Sequence, residues 1–213
     1  MTLIQLALDV ILLADVPALL SVALPYIDLV EVGTPMIKRY GIDAVRQMRV
    51  LAPGKQIIAD TKTMDAGAWE AALAFDAGAD MMTVLACASD ATLRAALSVG
   101  RERGCKVVAD LIGVADKPTR AKQLADLGVD YIGVHTGTDD QAYGANPLTD
   151  LAALSQVVNT PVVVAGGISS VTIKPILAYH PAIVIVGSAV TGAKDPAQVL
   201  RELSHLVIGP MTQ

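Results

Sequence analysis

Residues 57–67 read Ile57-Ile58-Ala59-Asp60-Thr61-Lys62-Thr63-Met64-Asp65-Ala66-Gly67, and an Ala-rich segment with helical spacing, Ala68–Asp76, follows at once. The unit is an apolar strand that ends in charge and turns into a helix. Alternate side chains of an extended segment share a face, so Asp60 and Lys62 are expected to point the same way as the strand ends. Asp65 follows three residues later. A salt-bridged turn between strand and helix is the plainest account of these charges. Whether they do more depends on the other strands.

The unit repeats along the chain. Apolar runs recur at Leu3–Leu8, Ile27–Val32, Gln56–Ala59, Met81–Leu85, Lys106–Ile112, Tyr131–Val134, Pro161–Ala165 and Ile183–Val186. Between them lie segments with helical periodicity, such as Ala91–Arg103, Pro118–Leu127 and Thr172–Ala178. Ala-Gly-Ala-Asp at 77–80, Arg-Gly-Cys at 103–105 and Leu-Gly-Val-Asp at 127–130 each put glycine after a helix and before a strand. Eight strand–helix alternations with no linker, charge block or low-complexity segment predict an α/β fold, one parallel eight-stranded (β/α)8 TIM barrel over residues 1–213. A doubly wound open sheet competes, but no G-x-G-x-x-G follows the first strand.

Composition agrees with that architecture. The chain is 53% hydrophobic and only 3% aromatic, so its core must be built from Ala, Val, Leu and Ile. That palette suits parallel strands covered on both faces by helices. A net charge of -5 argues against nucleic acid or an anionic membrane as partner. Any phosphate is then expected to be held by backbone amides. Leu3 to Leu24 is apolar, but it lacks a basic leader and Asp9 and Asp15 interrupt it, so neither signal peptide nor membrane span is expected. Cys87 and Cys105 have no C-x-x-C spacing and are expected to be buried free thiols in a reducing cytoplasm.

In a barrel of this kind the chemistry gathers at the C-terminal ends of the strands. Those ends carry Asp9, Glu31, Asp60 with Lys62, Asp110 and His135. Any one could cap or salt-bridge; all of them converging on one rim calls for a cation or a ligand, because buried like charges are costly. Strand 7 ends in Ala165-Gly166-Gly167-Ile168-Ser169-Ser170 and strand 8 in Val186-Gly187-Ser188-Ala189. Glycines before helix starts expose N–H groups, and the loops after strands 7 and 8 are where this fold cradles phosphate. Gly166, Gly167, Gly187 and Ser188 are the expected donors. His180 and His205 fall near helix ends with no motif around them and are expected to be surface residues.

Ala59-Asp60-Thr61-Lys62-Thr63-Met64-Asp65-Ala66-Gly67 resembles the signature of the orotidine-monophosphate-decarboxylase superfamily, and within it the 3-hexulose-6-phosphate synthase family. Val30-Glu31-Val32-Gly33-Thr34-Pro35, Asp110-Leu111-Ile112-Gly113-Val114, His135-Thr136-Gly137-Thr138-Asp139 and Val164-Ala165-Gly166-Gly167-Ile168-Ser169 match as well, from the first strand to the eighth. The related 3-keto-L-gulonate-6-phosphate decarboxylases share Asp-x-Lys-x-x-Asp. They typically have Glu where this chain has Asp110, and His-Arg where it has His135-Thr136. They also often use Arg at the second phosphate loop, where this chain has Ser188.

The resemblance implies a reversible aldol condensation of D-ribulose 5-phosphate with formaldehyde to D-arabino-3-hexulose 6-phosphate, through a 1,2-ene-diolate. It implies Mg²⁺ or Mn²⁺ held by Glu31 and Asp60, Lys62 beside the developing negative charge, and His135 as proton-transferring group. It also implies Asp9 and Asp110 on substrate hydroxyls or the lysine network, and Asp65 reaching the site of a neighbouring subunit in a homodimer. Two other readings stay open: a keto-acid sugar-phosphate decarboxylase, and a non-catalytic sugar-phosphate-binding barrel. The binder would need the phosphate cradle but not the carboxylates, lysine and histidine.

Overall fold

The structure, a computed structural model, describes residues 1–208. Eight parallel strands close into a barrel in chain order: β1 (Leu3–Leu8), β2 (Leu29–Val32), β3 (Gln56–Thr63), β4 (Met81–Leu85), β5 (Lys106–Asp110), β6 (Tyr131–His135), β7 (Val162–Ala165) and β8 (Ile183–Val186). Closure is made by β8 against β1, with Leu3 opposite Ile183 and Leu6 opposite Val186. Helices between the strands cover the outside, among them Gly67–Asp76, Asp90–Arg103, Lys117–Leu127 and Pro196–Ile208.

Strand alternation sorts the residues into layers. At the bottom of the barrel Leu29, Ile58, Met81, Val108, Val163 and Ile183 form a separate apolar cluster, joined by Leu3 and Tyr131. Two residues on, the inward positions of β1 to β5 turn polar: Gln5, Glu31, Asp60, Thr83 and Asp110, all buried. Outward positions such as Leu6, Val30, Ile57, Met82, Val107 and Val164 pack under the helices. Full burial of each such side chain contributes roughly 1.5–3 kcal/mol, so the barrel tolerates charge at one end because the rest is apolar.

The bottom face is tied by aspartates that precede strands. Asp28, Asp80 and Asp130 each accept a backbone N–H from the second residue of the preceding strand: Ile4 (2.9 Å), Ile57 (2.7 Å) and Val107 (2.9 Å). These are the sites where the edge of the ladder would otherwise leave a donor unpaired. Gly104 and Gly128 close their helices in the left-handed conformation, as the spacing predicts. Gly67 has another reason to be glycine: a Cβ there would lie 2.1 Å from the carbonyl oxygen of Thr92, where two helices meet.

Some boundaries differ from the sequence reading. Strand β2 starts at Leu29, not Ile27, because Leu24–Tyr26 forms a short 3-10 turn and Asp28 is used as the tie just described. Strand β5 stops at Asp110, whose carboxylate accepts from the Ile112 amide (2.9 Å) and turns the chain outward. Strand β3 runs past Ala59 to Thr63, and its register slips there: Ala59 is opposite Met82, yet Thr63 is opposite Val84.

The expectation that both thiols are buried is corrected. Cys87 is exposed and Cys105 partly so, and neither is paired. The apolar run around Cys87 overshoots the strand, which ends at Leu85, and leaves Cys87 in the following turn. Cys105 sits between the Gly104 cap and the first residue of β5. His180 and His205 are exposed, as expected. Among the described residues no helix is long and apolar enough to cross a membrane.

Candidate active site

The C-terminal rim gathers most of the charged residues marked in the sequence. Asp60 is its hub. Oδ1 accepts from Thr83 Oγ1 (2.7 Å) and Lys62 Nζ (3.0 Å); Oδ2 accepts from Thr34 Oγ1 (2.8 Å) and Lys62 Nζ (2.9 Å). Lys62 Nζ also reaches Asp110 Oδ2 at 3.2 Å, and His135 Nδ1 lies 2.9 Å from the same oxygen. One chain of contacts therefore joins β3, β5 and β6.

Asp60 and Lys62 do face each other, but not by simple alternation. Lys62 has φ 46°, in the left-handed region, inside the stretch where β3 slips against β4. Such a backbone costs a non-glycine residue on the order of 1–3 kcal/mol and persists only when its surroundings hold it. The surroundings here are hydroxyls: the Lys62 amide donates to Thr83 Oγ1 (2.9 Å), and Thr61 Oγ1 donates to the Thr83 carbonyl (2.7 Å).

Glu31 is buried at the same level, its Oε2 accepting from Gln5 Nε2 at 2.7 Å. Burial, followed by the charge of Asp60, pushes the Glu31 carboxyl up to about 8. Asp9 is shifted up too, by burial and then by Asp60. Its carboxylate fits between the ends of β2 and β8: a Cβ on Gly33 would fall 2.0 Å from Asp9 Oδ1, and one on Gly187 would fall 3.6 Å from Oδ2. Gly33 is glycine because Asp9 occupies the space of a side chain. Asp9 makes no hydrogen bond to the lysine among the described residues.

Burial disfavours the charged forms of Lys62 and Asp110, but their neighbours outweigh it in both cases. Asp60 and Asp110 hold the Lys62 ammonium above its ordinary value. The hydrogen bond and charge of His135, then Lys62 and the Ile112 amide, hold Asp110 below the usual carboxylate range. The rim is thus split: a compensated side at Lys62, Asp110 and His135, and an under-compensated side at Glu31 and Asp9.

Glu31 and the neighbouring Asp60 have donor chemistry that would suit a cation. Among the described residues no three His, Cys, Asp or Glu side chains are gathered as a metal-binding set. Glu31 and Asp60 offer two hard oxygen donors, and a negative charge on Glu31 is left uncompensated, which would fit a cation that completes its shell with water and substrate oxygens. Asp60 already accepts four side-chain hydrogen bonds, so a cation bound there would displace a donor.

The two glycine loops follow β7 and β8 on the same rim. Gly166 and Gly167 have φ 112° and 65°, and a Cβ on Gly166 would sit 2.7 Å from the Thr136 carbonyl oxygen. Among the described residues the amides of Gly166, Gly167, Gly187 and Ser188 make no hydrogen bond within the protein. Four bare N–H groups at the ends of β7 and β8 are available to an anion.

Asp65 is the residue the rim does not collect. It is exposed, in the turn before the helix that starts at Gly67, where Ala66 is left-handed (φ 53°). Within one protomer the second partner of Lys62 is Asp110. The sequence reading also passed over Gln5, Thr34 and Thr83, the neutral donors that hold Glu31 and Asp60. Their signal was faint but present: Gln5 and Thr83 are polar residues at inward positions of otherwise apolar strands.

Residues 2–203 match the model of the orotidine 5'-phosphate decarboxylase / HUMPS family. The chain belongs to that family. It is 40% identical over 205 residues to 3-hexulose-6-phosphate synthase 2 of Staphylococcus saprophyticus, covering 96% of each chain. The crystal structure of 3-hexulose-6-phosphate synthase from Salmonella typhimurium superposes with a TM-score of 0.95 at 40% identity, over 97% of this chain and 99% of that one. KGPDC from Streptococcus mutans, solved in complex with a sugar phosphate, superposes with a TM-score of 0.90 at 28% identity, over 97% of each. This member of the family is therefore an enzyme, a lyase of the aldolase type. The resemblance drawn from its strand-end motifs is borne out.

Proposed function

We propose that the chain condenses D-ribulose 5-phosphate with formaldehyde, reversibly, to D-arabino-3-hexulose 6-phosphate through a 1,2-ene-diolate. The observation that carries this reading is the array Asp60–Lys62–Asp110–His135 on the same rim as four bare amides at the ends of β7 and β8. The amides of Gly166, Gly167, Gly187 and Ser188 hold the phosphate and so set the distance at which the sugar's other end meets the charged residues.

His135 is the proton-transferring group. With Nδ1 donating to Asp110, the neutral ring presents the Nε2 lone pair, which takes the proton from C1 of the ketose. Negative charge then grows on the substrate oxygens, and the Lys62 ammonium, held charged between Asp60 and Asp110, stabilises it. C1 forms its bond to the formaldehyde carbon as the C=O π bond opens, and the aldehyde oxygen becomes the new hydroxyl by taking the proton that His135 removed from C1. Asp9, wedged between Gly33 and Gly187, is placed to accept from sugar hydroxyls. Glu31 and Asp60 would hold Mg²⁺ or Mn²⁺, which would supply Lewis-acid stabilisation of the same developing charge.

The functional unit is a homodimer with shared sites. Asp65 is exposed between Met64 (54% exposed) and Trp69 (80%), and Leu73 (53%) follows Trp69 on the same helix face. That apolar surface around a carboxylate suits a second copy, whose Asp65 would then reach this protomer's Lys62. Two unpaired cysteines and a net charge of -5 support a reducing, cytoplasmic setting with small molecules as partners and no nucleic acid or membrane.

Asp110 and the Thr136 that follows His135 are the two positions that favour aldol chemistry over keto-gulonate-phosphate decarboxylation. Product analysis with D-ribulose 5-phosphate, formaldehyde and Mg²⁺, set against CO₂ release from 3-keto-L-gulonate 6-phosphate, tests the reading. Faster CO₂ release than condensation overturns it.

A further inference from the structure

Strand β4 brings no ionisable group to the rim, yet its inward residue at that level, Thr83, is buried against the charged array. The Lys62 amide donates to Thr83 Oγ1 (2.9 Å), and Asp60 Oδ1 lies 2.7 Å from the same oxygen. The directions are settled by chemistry. An amide N–H only donates and an ionised carboxylate only accepts, so the single hydroxyl proton of Thr83 goes to Asp60.

We propose that Thr83 is the positioning residue for the Asp60–Lys62 turn, its hydroxyl binding the main chain of Lys62 and the side chain of Asp60 at once. The slip of β3 against β4, from Ala59 opposite Met82 to Thr63 opposite Val84, takes the Lys62 N–H out of the ladder. Without a substitute acceptor that donor would be unpaired within the protein, and the left-handed turn (φ 46°) would lose the hydroxyl that holds it. Thr61 Oγ1, donating to the Thr83 carbonyl (2.7 Å), fastens the same two strands from the neighbouring residue. Asp60 and Lys62 share a face because of this clamp. The hydroxyl is spent on these two bonds, so Thr83 acts through Lys62 and Asp60.

The inference rests on the proposed role of Lys62 for its kinetic arm only; its structural arm stands without any assumption about the reaction. Thr83→Val keeps the shape and deletes the hydroxyl, while Thr83→Ser keeps the hydroxyl. Thr83→Val is expected to lower kcat by about a hundredfold or more with KM within about threefold, and Thr83→Ser to stay within about fivefold of the parent. Amide exchange of Lys62, followed by NMR, is expected to be slow in the parent and in Thr83→Ser, and at least about tenfold faster in Thr83→Val. Thr83→Ala carries the same expectations should the valine variant fail to fold. Unchanged Lys62 exchange in the hydroxyl-free variant overturns the proposal, as does a kcat within about threefold of the parent, or a serine variant as impaired as the valine one. A parent with no condensation activity removes the proposed function, and the exchange comparison then judges Thr83 alone.

Discussion

His135 Nδ1 lies 2.9 Å from Asp110 Oδ2, and that contact leaves Nε2 as the ring nitrogen not engaged by Asp110. Asp110→Asn puts an amide in place of the carboxylate. An amide N–H turned to Nδ1 would force the opposite tautomer, and Lys62 would lose one of its two anionic partners. The expected result is a fall in kcat of at least about a hundredfold with KM little changed. Steady-state kinetics across pH 5 to 9 are the measurement; a loss confined to KM would assign Asp110 to substrate binding alone.

Metal removal is the second expectation. Exhaustive chelation should abolish turnover, and adding back Mg²⁺ or Mn²⁺ should restore it, because Glu31 and Asp60 then regain the positive charge that their arrangement lacks. Full activity in a preparation shown by elemental analysis to be metal-free would end the role assigned to these two carboxylates.

Glu31 also predicts a pH dependence of the metal-free protein. An unfolded glutamate ionises near 4.5, whereas the buried Glu31 holds its proton up to about 8. Between those values the folded state binds more protons than the unfolded one, so stability contributed through Glu31 is lost as pH rises across the window. Glu31→Gln, a neutral mimic, should remove that slope. Thermal melts of the metal-free parent and variant should nearly coincide at pH 4.5 and diverge by pH 8, with the variant melting higher. A parent that melts higher than the variant at pH 8 would contradict the electrostatic picture of the rim.

The proposed sharing of sites between two copies makes a distinctive prediction for mixed dimers. Lys62→Ala should cost several orders of magnitude on its own, and Asp65→Ala should be severely impaired. A heterodimer of the two has one site with both residues intact and one with neither. Random re-association of equal amounts should therefore recover about a quarter of parental activity. No recovery in a mixture shown to contain heterodimers would confine Asp65 to its own subunit.

How much of this was readable in advance can be followed residue by residue. The strand ends were legible because a (β/α)8 pattern assigns position: once Leu3–Leu8 and Met81–Leu85 are strands, whatever follows them must stand on the rim. Asp9, Glu31, Asp60, Lys62, Asp110 and His135 were therefore found by counting. Cys87 was misjudged by the same counting, since an apolar run does not mark where hydrogen bonding to the next strand stops. Gln5, Thr34 and Thr83 escaped notice because a neutral polar residue gains meaning only from what it touches.

The order of residues alone determined a closed parallel barrel, the face of each strand and the end where charge collects, because side-chain alternation and strand–helix spacing are local properties of the chain. Only the tertiary structure decided that Lys62 turns left-handed, that Asp110 rather than Asp65 is its second partner within one protomer, and that Thr83 ties the turn together. Those outcomes depend on the register between neighbouring strands and on hydrogen bonds between residues more than twenty positions apart. Such distances are set by packing the whole barrel, and no short stretch of the chain contains them.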